Sequence, residues 1–160
     1  MANNTDGKTK STNTSNEKML FAERYCAKND LQFTPSRRKV LEFLLQSGKA
    51  LGAYDLLDRL HEVGFKPQPP VAYRALEFLI KYGFAHKVEH LNAFVACIHP
   101  GKEHSPAFMI CRSCASVSEM DTLRSNSMIT ENLISQGFKV EEAVIEARGL
   151  CEACADVEVK

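Results

Sequence analysis

Residues 69–98 read PPVAYRALEFLIKYGFAHKVEHLNAFVACI, and the period of the apolar residues changes halfway along. Pro69 and Pro70 suit the first turn of a helix, where no intrahelical N–H is needed, and Gly83 suits its end. Between them Ala72, Leu76 and Leu79 share one face at about 100° per residue, while Arg74, Glu77 and Lys81 point the other way and Tyr73 sits at the boundary. Beyond Gly83 come two short apolar segments, Phe84–Glu89 and Ala93–Ile98, around a turn containing Leu91 and Asn92. This predicts an amphipathic helix running straight into a β-hairpin.

Upstream, three more helical patterns lead into that helix. From Asn16, Met19, Ala22 and Cys26 fall on one face. Thr34 caps and Pro35 opens a second helix, with Val40, Leu41 and Leu44 inward and Gly48 at its close. A third, near Ala53–Val63, carries Leu56, Leu57, Leu60 and Val63 and ends at Gly64. Helices followed by a hairpin predict a winged helix-turn-helix over residues 16–98. Residues 1–15 are rich in Asn, Thr, Ser and Lys without periodicity, and a disordered arm is expected there.

Downstream, residues 99–106 form a polar stretch that reads as a hinge loop. Strands are expected at Ala107–Cys111, Ser116–Asp121 and Lys139–Ala147, with a helix at Thr122–Gly137 carrying Leu123, Ile129 and Leu133. Residues 107–160 thus form a small α/β unit with little room for a core of its own, so a subunit interface is expected there. The fold class is α+β: an N-terminal winged helix-turn-helix domain followed by a small α/β dimerisation domain.

The composition narrows the function. The chain has 160 residues, 44% of them hydrophobic, and no run approaches the roughly 20 apolar residues that span a bilayer. Its first residues lack the apolar stretch of a secretory leader, so a cytoplasmic protein without a membrane partner is expected. The formal net charge is zero, yet residues 17–90 hold 12 Lys/Arg against 9 Asp/Glu and residues 91–160 hold 6 against 10. The first half is the better match for a polyanion, through a local patch rather than overall charge. Tyr73 and Arg74 suit double-stranded DNA: the guanidinium can donate bidentately to guanine, and the phenol can reach a thymine methyl, a sugar or a phosphate. Arg37, Arg38 and Lys39 form a second basic cluster suited to backbone phosphates.

Four of the six cysteines form two Cys-x-x-Cys pairs, Cys111/Cys114 and Cys151/Cys154. Two such pairs can close a tetrahedral four-thiolate zinc site that knits the last strand to the first two. The rival for these residues is a redox dithiol. A second set, His86, Cys97, His104 and Glu119, straddles the hairpin, the hinge and the second unit. Two imidazoles, a thiolate and a carboxylate are a reasonable shell for zinc, and a metal there would fix the relative orientation of the two domains. His90 and His99 lie nearby, and spacing does not select among these histidines.

The chain resembles the ferric uptake regulator family, and within it the zinc uptake regulator branch, over about residues 17–157. The segments that carry the resemblance are residues 33–37 (FTPSR), 53–57 (AYDLL), 69–76 (PPVAYRAL), 84–89 (FAHKVE), 110–114 (ICRSC) and 145–154 (IEARGLCEAC). It implies a homodimer that represses zinc-uptake genes by binding an AT-rich inverted repeat, with zinc as corepressor. It implies that Tyr73 and Arg74 contact bases, and that Cys111, Cys114, Cys151 and Cys154 hold a structural zinc. It selects His86, Cys97, His104 and Glu119 as a regulatory zinc site, giving two zinc ions per chain. Two departures stand out. Val71-Ala72 occupy the place where the family usually has Thr-Val, removing a hydroxyl. The stretch before the first Cys pair holds only His99 and His104, where iron-sensing members have a His-rich run. With the Cys97 thiolate, this favours zinc over the alternatives of iron, manganese or peroxide sensing. A zinc-dependent hydrolase or thiol oxidoreductase is disfavoured, because catalytic zinc keeps an open position and both sets offer four protein ligands.

Overall fold

The computed structural model describes residues 6–158 apart from 67, 103, 121–130 and 142, with side chains within residues 14–157. In chain order the elements are α1 (Asp6–Lys28), α2 (Pro35–Gln46), α3 (Ala53–Glu62), α4 (Pro69–Lys81), β1 (Ala85–Val88), a 3₁₀ turn η1 (Glu89–Leu91) and β2 (Ala93–Ala96). The second half has β3 (Ala107–Cys111), β4 (Val117–Met120), a helical turn α5 at 131–135, β5 (Ile145–Gly149) and α6 (Glu152–Glu158).

The first half is helices around one core, and local chemistry sets its boundaries. Thr34 accepts a hydrogen bond from the Arg37 amide at 3.3 Å and Pro35 opens α2. Asp55 reaches back to accept from the Gly52 amide at 2.9 Å and caps α3. No side chain caps α4 at Gln68. Gly83, at φ +69°, stops α4. The inward faces are those the periodicity predicts, including Ala22, Cys26, Val40, Leu41, Leu44, Leu56, Leu60, Leu76 and Leu79. Val63 is instead half exposed, because α3 ends one residue before it. Phe84 anchors this core, with the ring of Tyr25 edge-on at 5.6 Å.

α1 begins at Asp6, earlier than the boundary expected at Asn16. No proline interrupts residues 6–28, and Ser15 ties the extension to α2 by donating to the Leu45 carbonyl at 3.3 Å. Residues 1–5 of the expected arm lie outside the described residues.

The hairpin forms as expected. β1 and β2 pair antiparallel from Ala85↔Ala96 to Val88↔Ala93. Asn92 closes the turn at φ 46°, a left-handed conformation that Asn tolerates. Leu51, in the α2–α3 connection, adds a bridge to Phe94 on β2.

The second sheet has the order β4-β3-β5, with β4 antiparallel and β5 parallel to β3. The last strand lies at Ile145–Gly149, further along than the expected Lys139–Ala147. Pairing along the whole of β3, from Ala107↔Ile145 to Cys111↔Gly149, fixes that position and brings the second cysteine pair beside the first. Lys139 and Glu141 are left exposed, 3.8 Å from each other. The expected helix at Thr122–Gly137, with Leu123 and Ile129, falls mostly outside the described residues.

The two halves touch through more than the hinge. Val88 on β1 packs with Phe108 and Ile110 on β3, flanked by Val95 and Val117. Lys49 also bridges to Ser116. No helix among the described residues is long and apolar enough to cross a membrane.

Candidate metal centres and nucleic-acid interface

Four elements converge on the first centre. β1 carries His86, the chain leaving β2 carries Cys97, the 99–106 loop carries His104 and β4 carries Glu119. One ligand atom from each lies within 4.8 Å of all the others. His86 Nε2 and His104 Nε2 are 3.2 Å apart, and Cys97 Sγ is 3.5 Å from His104 Nε2. Glu119 Oε1 lies 2.9 Å from His104 Nε2 and 3.5 Å from His86 Nε2. A tetrahedral zinc shell with ordinary Zn–N, Zn–O and Zn–S bonds has ligand–ligand edges of about 3.3–3.8 Å. The set needs only small adjustments to surround an ion.

The outer contacts aim the ligands. His104 Nδ1 donates to the Lys102 carbonyl at 2.8 Å, which leaves the Nε2 lone pair free to bind. The second oxygen of Glu119 accepts from the Ile98 amide at 2.9 Å. The His99 amide donates to Cys97 Sγ at 3.3 Å.

The electrostatics call for a cation. The Glu119 side chain is 1% exposed, and its close partners in this cluster are two imidazoles and a thiol, none a permanent cation. Burial, then the charge of Glu119, pushes the Cys97 thiol up to about 12. Burial holds His86 below its ordinary value against the opposing pull of Glu119, favouring the neutral, ligating form. A buried carboxylate and a thiol that ionises only beside positive charge together fit a divalent ion.

The geometry also discriminates among the histidines. The His99 ring stands edge-on to His104 at 6.2 Å, outside the four-atom cluster. His90 lies on η1, where its amide donates to Glu146.

The second centre lies at the far end of the same sheet. Cys111 ends β3, Cys114 follows in a tight turn, Cys151 follows β5 and Cys154 sits in the first turn of α6. Their sulfurs lie within 4.8 Å of one another, and Cys114 and Cys151 are 3.7 Å apart, close to the roughly 3.8 Å edge of a tetrahedral four-thiolate zinc shell. The turn is closed by Ala115 N donating to the Cys111 carbonyl at 3.0 Å, with Ala115 at φ 58°. The amides of Cys114 and Cys151 aim at Cys111 and hold its thiol below its ordinary value, which favours the thiolate that a metal binds. None of the six cysteines is in a disulfide.

On α4, Ala72, Ala75, Leu76, Phe78 and Leu79 face inward. Tyr73 and Arg74 are exposed, as the helical period predicts. Arg37, at the start of α2, packs its guanidinium 3.8 Å over the Phe78 ring and donates to the Gln32 carbonyl. Arg37, Arg74 and Lys81 line one groove. Arg38 and Lys39 are engaged by carboxylates of their own chain, Glu23 at 2.7 Å and Glu42 at 2.8 Å. Tyr54, near the start of α3, is 67% exposed against 44% for Tyr73. Its signal in the sequence is an aromatic residue off the apolar stripe of an amphipathic helix.

Comparison with known proteins bears on the family and the fold. Residues 28–148 match the ferric uptake regulator family. Over 146 residues the chain is 39% identical to the zinc uptake regulation protein of Escherichia coli (strain K12), covering 91% of this chain and 85% of that protein. The same values hold for the zinc uptake regulation protein of Shigella flexneri. A solved structure of a zinc uptake regulator complexed with zinc and DNA superposes with a TM-score of 0.85 at 38% identity, covering 92% of this chain and 99% of that one. The crystal structure of holo XcZur gives 0.79 at 39% identity, covering 88% and 99%. A family match across most of the chain, relatives at this identity and a shared whole-chain fold lead to one conclusion: the chain belongs to the ferric uptake regulator family.

Proposed function

We propose that this protein is a zinc-responsive transcriptional repressor of the cytoplasm, which binds an AT-rich inverted-repeat operator as a zinc-loaded homodimer and represses zinc-uptake genes. The observation that carries the reading is the cluster of His86, Cys97, His104 and Glu119, whose ligand atoms come from the wing, the hinge and the second sheet. Each chain takes two zinc ions: a structural one on Cys111, Cys114, Cys151 and Cys154, and a regulatory one on the four residues of that cluster. When bound at the regulatory site, zinc supplies the positive charge that balances Glu119 and the Cys97 thiolate. His86 and Cys97 then hold the wing against His104 and Glu119, so α4 keeps one orientation. Tyr73 and Arg74 read bases, and Arg37, Arg38 and Lys39 meet backbone phosphates, Arg38 and Lys39 exchanging their carboxylate partners for DNA. Four protein ligands at each centre leave no open position for a substrate, so the protein is a regulator and not an enzyme.

The deciding experiment is a DNA-binding titration of protein stripped at the regulatory site, with Zn²⁺, Fe²⁺ and Mn²⁺ in parallel and bound metal per chain measured at saturation. The expected result is a gain in affinity with zinc at two ions per chain. A gain only with iron or manganese would make the protein a sensor of those metals, and no gain with any metal would sink the repressor reading.

A further inference from the structure

Neither metal centre accounts for how the tip of the wing is held. η1 lies far from β5 in sequence, yet its first two amides share one carboxylate. Glu89 N donates to Glu146 Oε1 at 2.6 Å, and His90 N donates to Glu146 Oε2 at 2.9 Å. The hairpin ladder ends at Val88↔Ala93, so these amides lie past its last pair. Hydrogen bonds to a charged acceptor are shorter and stronger than those between neutral groups.

The sheet sets the position of Glu146. Phe108 on β3 stands opposite Glu119 on β4 and opposite Glu146 on β5. Residues opposite one another on neighbouring strands project to the same face. Glu119, Phe108 and Glu146 therefore form one row across the sheet, and that row faces the wing. In the middle, Phe108 is buried against Val88, with its ring 5.9 Å from that of His86. At one end Glu119 accepts from Ile98 N, just past β2, and joins the first metal cluster. At the other end Glu146 holds the tip. Two carboxylates thus grip the wing at base and tip, on either side of an apolar contact, and only the first belongs to a metal cluster.

We infer that Glu146 is a positioning residue for DNA binding: it latches the wing tip to the second sheet without using metal and fixes the wing orientation that α4 needs to meet DNA. α4 runs into β1 across only Tyr82, Gly83 and Phe84, so a tilt of the wing carries to the helix. β5 runs from Glu146 to Gly149, two residues before Cys151, so the latch also ties the four-cysteine centre to the wing. This inference rests on the proposed reading of the chain as a zinc-responsive DNA-binding protein, and it names a residue of that response that binds no zinc.

The test compares zinc-loaded wild type with Glu146→Gln. The amide keeps the size of the side chain but replaces one acceptor oxygen with an NH₂ group that cannot accept. Two quantities are read: hydrogen exchange at the Glu89 and His90 amides, and affinity for the duplex that zinc-loaded wild type selects from a random-sequence pool. Exchange at both amides should rise roughly tenfold. Affinity should fall roughly five- to twentyfold with both zinc ions retained, within the usual range of coupling between sites. Losing a negative charge by itself strengthens binding to a polyanion, so a simple charge effect has the opposite sign. Glu141→Gln, at an exposed position of the same unit, calibrates that effect and should show no loss. Unchanged exchange, or affinity equal to or above that of Glu141→Gln, overturns the latch. If wild type selects no duplex with zinc present, the repressor reading and the DNA-positioning role fail together, while exchange at the two amides still reports whether the carboxylate holds the tip.

Discussion

Cys97 and Glu119 separate the two metal centres at the scale of single residues. Cys97 contributes only to the cluster that joins wing and sheet, and no residue of the four-cysteine set lies in that cluster. Cys97→Ser is therefore expected to keep a folded protein with zinc on the four cysteines, and to lose the zinc-dependent gain in DNA affinity. A coupling of about 1–3 kcal/mol sets the loss at roughly 5–150-fold at saturating zinc, with metal-free affinity little changed. Zinc-responsive binding equal to wild type would remove Cys97 from the sensing site. Arg74 is exposed on the outer face of α4. Arg74→Ala should cost about 1–3 kcal/mol in operator binding and relax preference at one position of each half-site, measured on single-base operator variants. Uniform weakening across those variants would mean that Arg74 meets phosphate alone.

At the scale of elements, the loop that delivers His104 depends on a glycine. Gly101 sits at φ +82°, and a Cβ there would come within 2.2 Å of the Phe21 ring of α1. Gly101→Ala thus meets a backbone penalty and a ring that must swing aside. We expect a loss of about 1–2 kcal/mol in stability, with weaker zinc binding at the cluster containing His104, since that loop carries the ligand. Urea unfolding and a competition titration for zinc measure the two effects, and an unchanged midpoint would show that the loop adapts freely. The elements themselves were largely legible. α2 was readable from Thr34-Pro35 and from the inward Val40, Leu41 and Leu44, and α4 from Pro69 to Gly83, because caps and a 3.6-residue period act within a few residues of chain. β5 lies later than its local pattern suggests, since nothing local distinguishes Lys139–Val144 from Ile145–Gly149 as a strand. Pairing with β3 makes that choice.

For the protein taken whole, the four-cysteine centre proposed above would hold together a sheet with little core of its own. Cys111→Ser removes one thiolate, and we expect loss of tightly held zinc and a dimer that weakens or aggregates, read by metal content and sedimentation. An unchanged dimer with full zinc content would show that these cysteines are not structural ligands. Capping, periodicity and short ligand spacings are local properties, and they sufficed for α2, α3, α4, the hairpin and the two Cys-x-x-Cys pairs, but not for the start of α1 or for α6. The sequence by itself also supplied the ligand types around the hinge, but not a choice among His86, His90, His99 and His104 without a family resemblance. The folded chain selects which of those imidazoles come beside Cys97 and Glu119. It also sets Glu119, Phe108 and Glu146 in one row against the wing. The first depends on strand register together with the path of the 99–106 loop and the second on register alone, and both bring together residues far apart in the chain that leave no trace in local spacing.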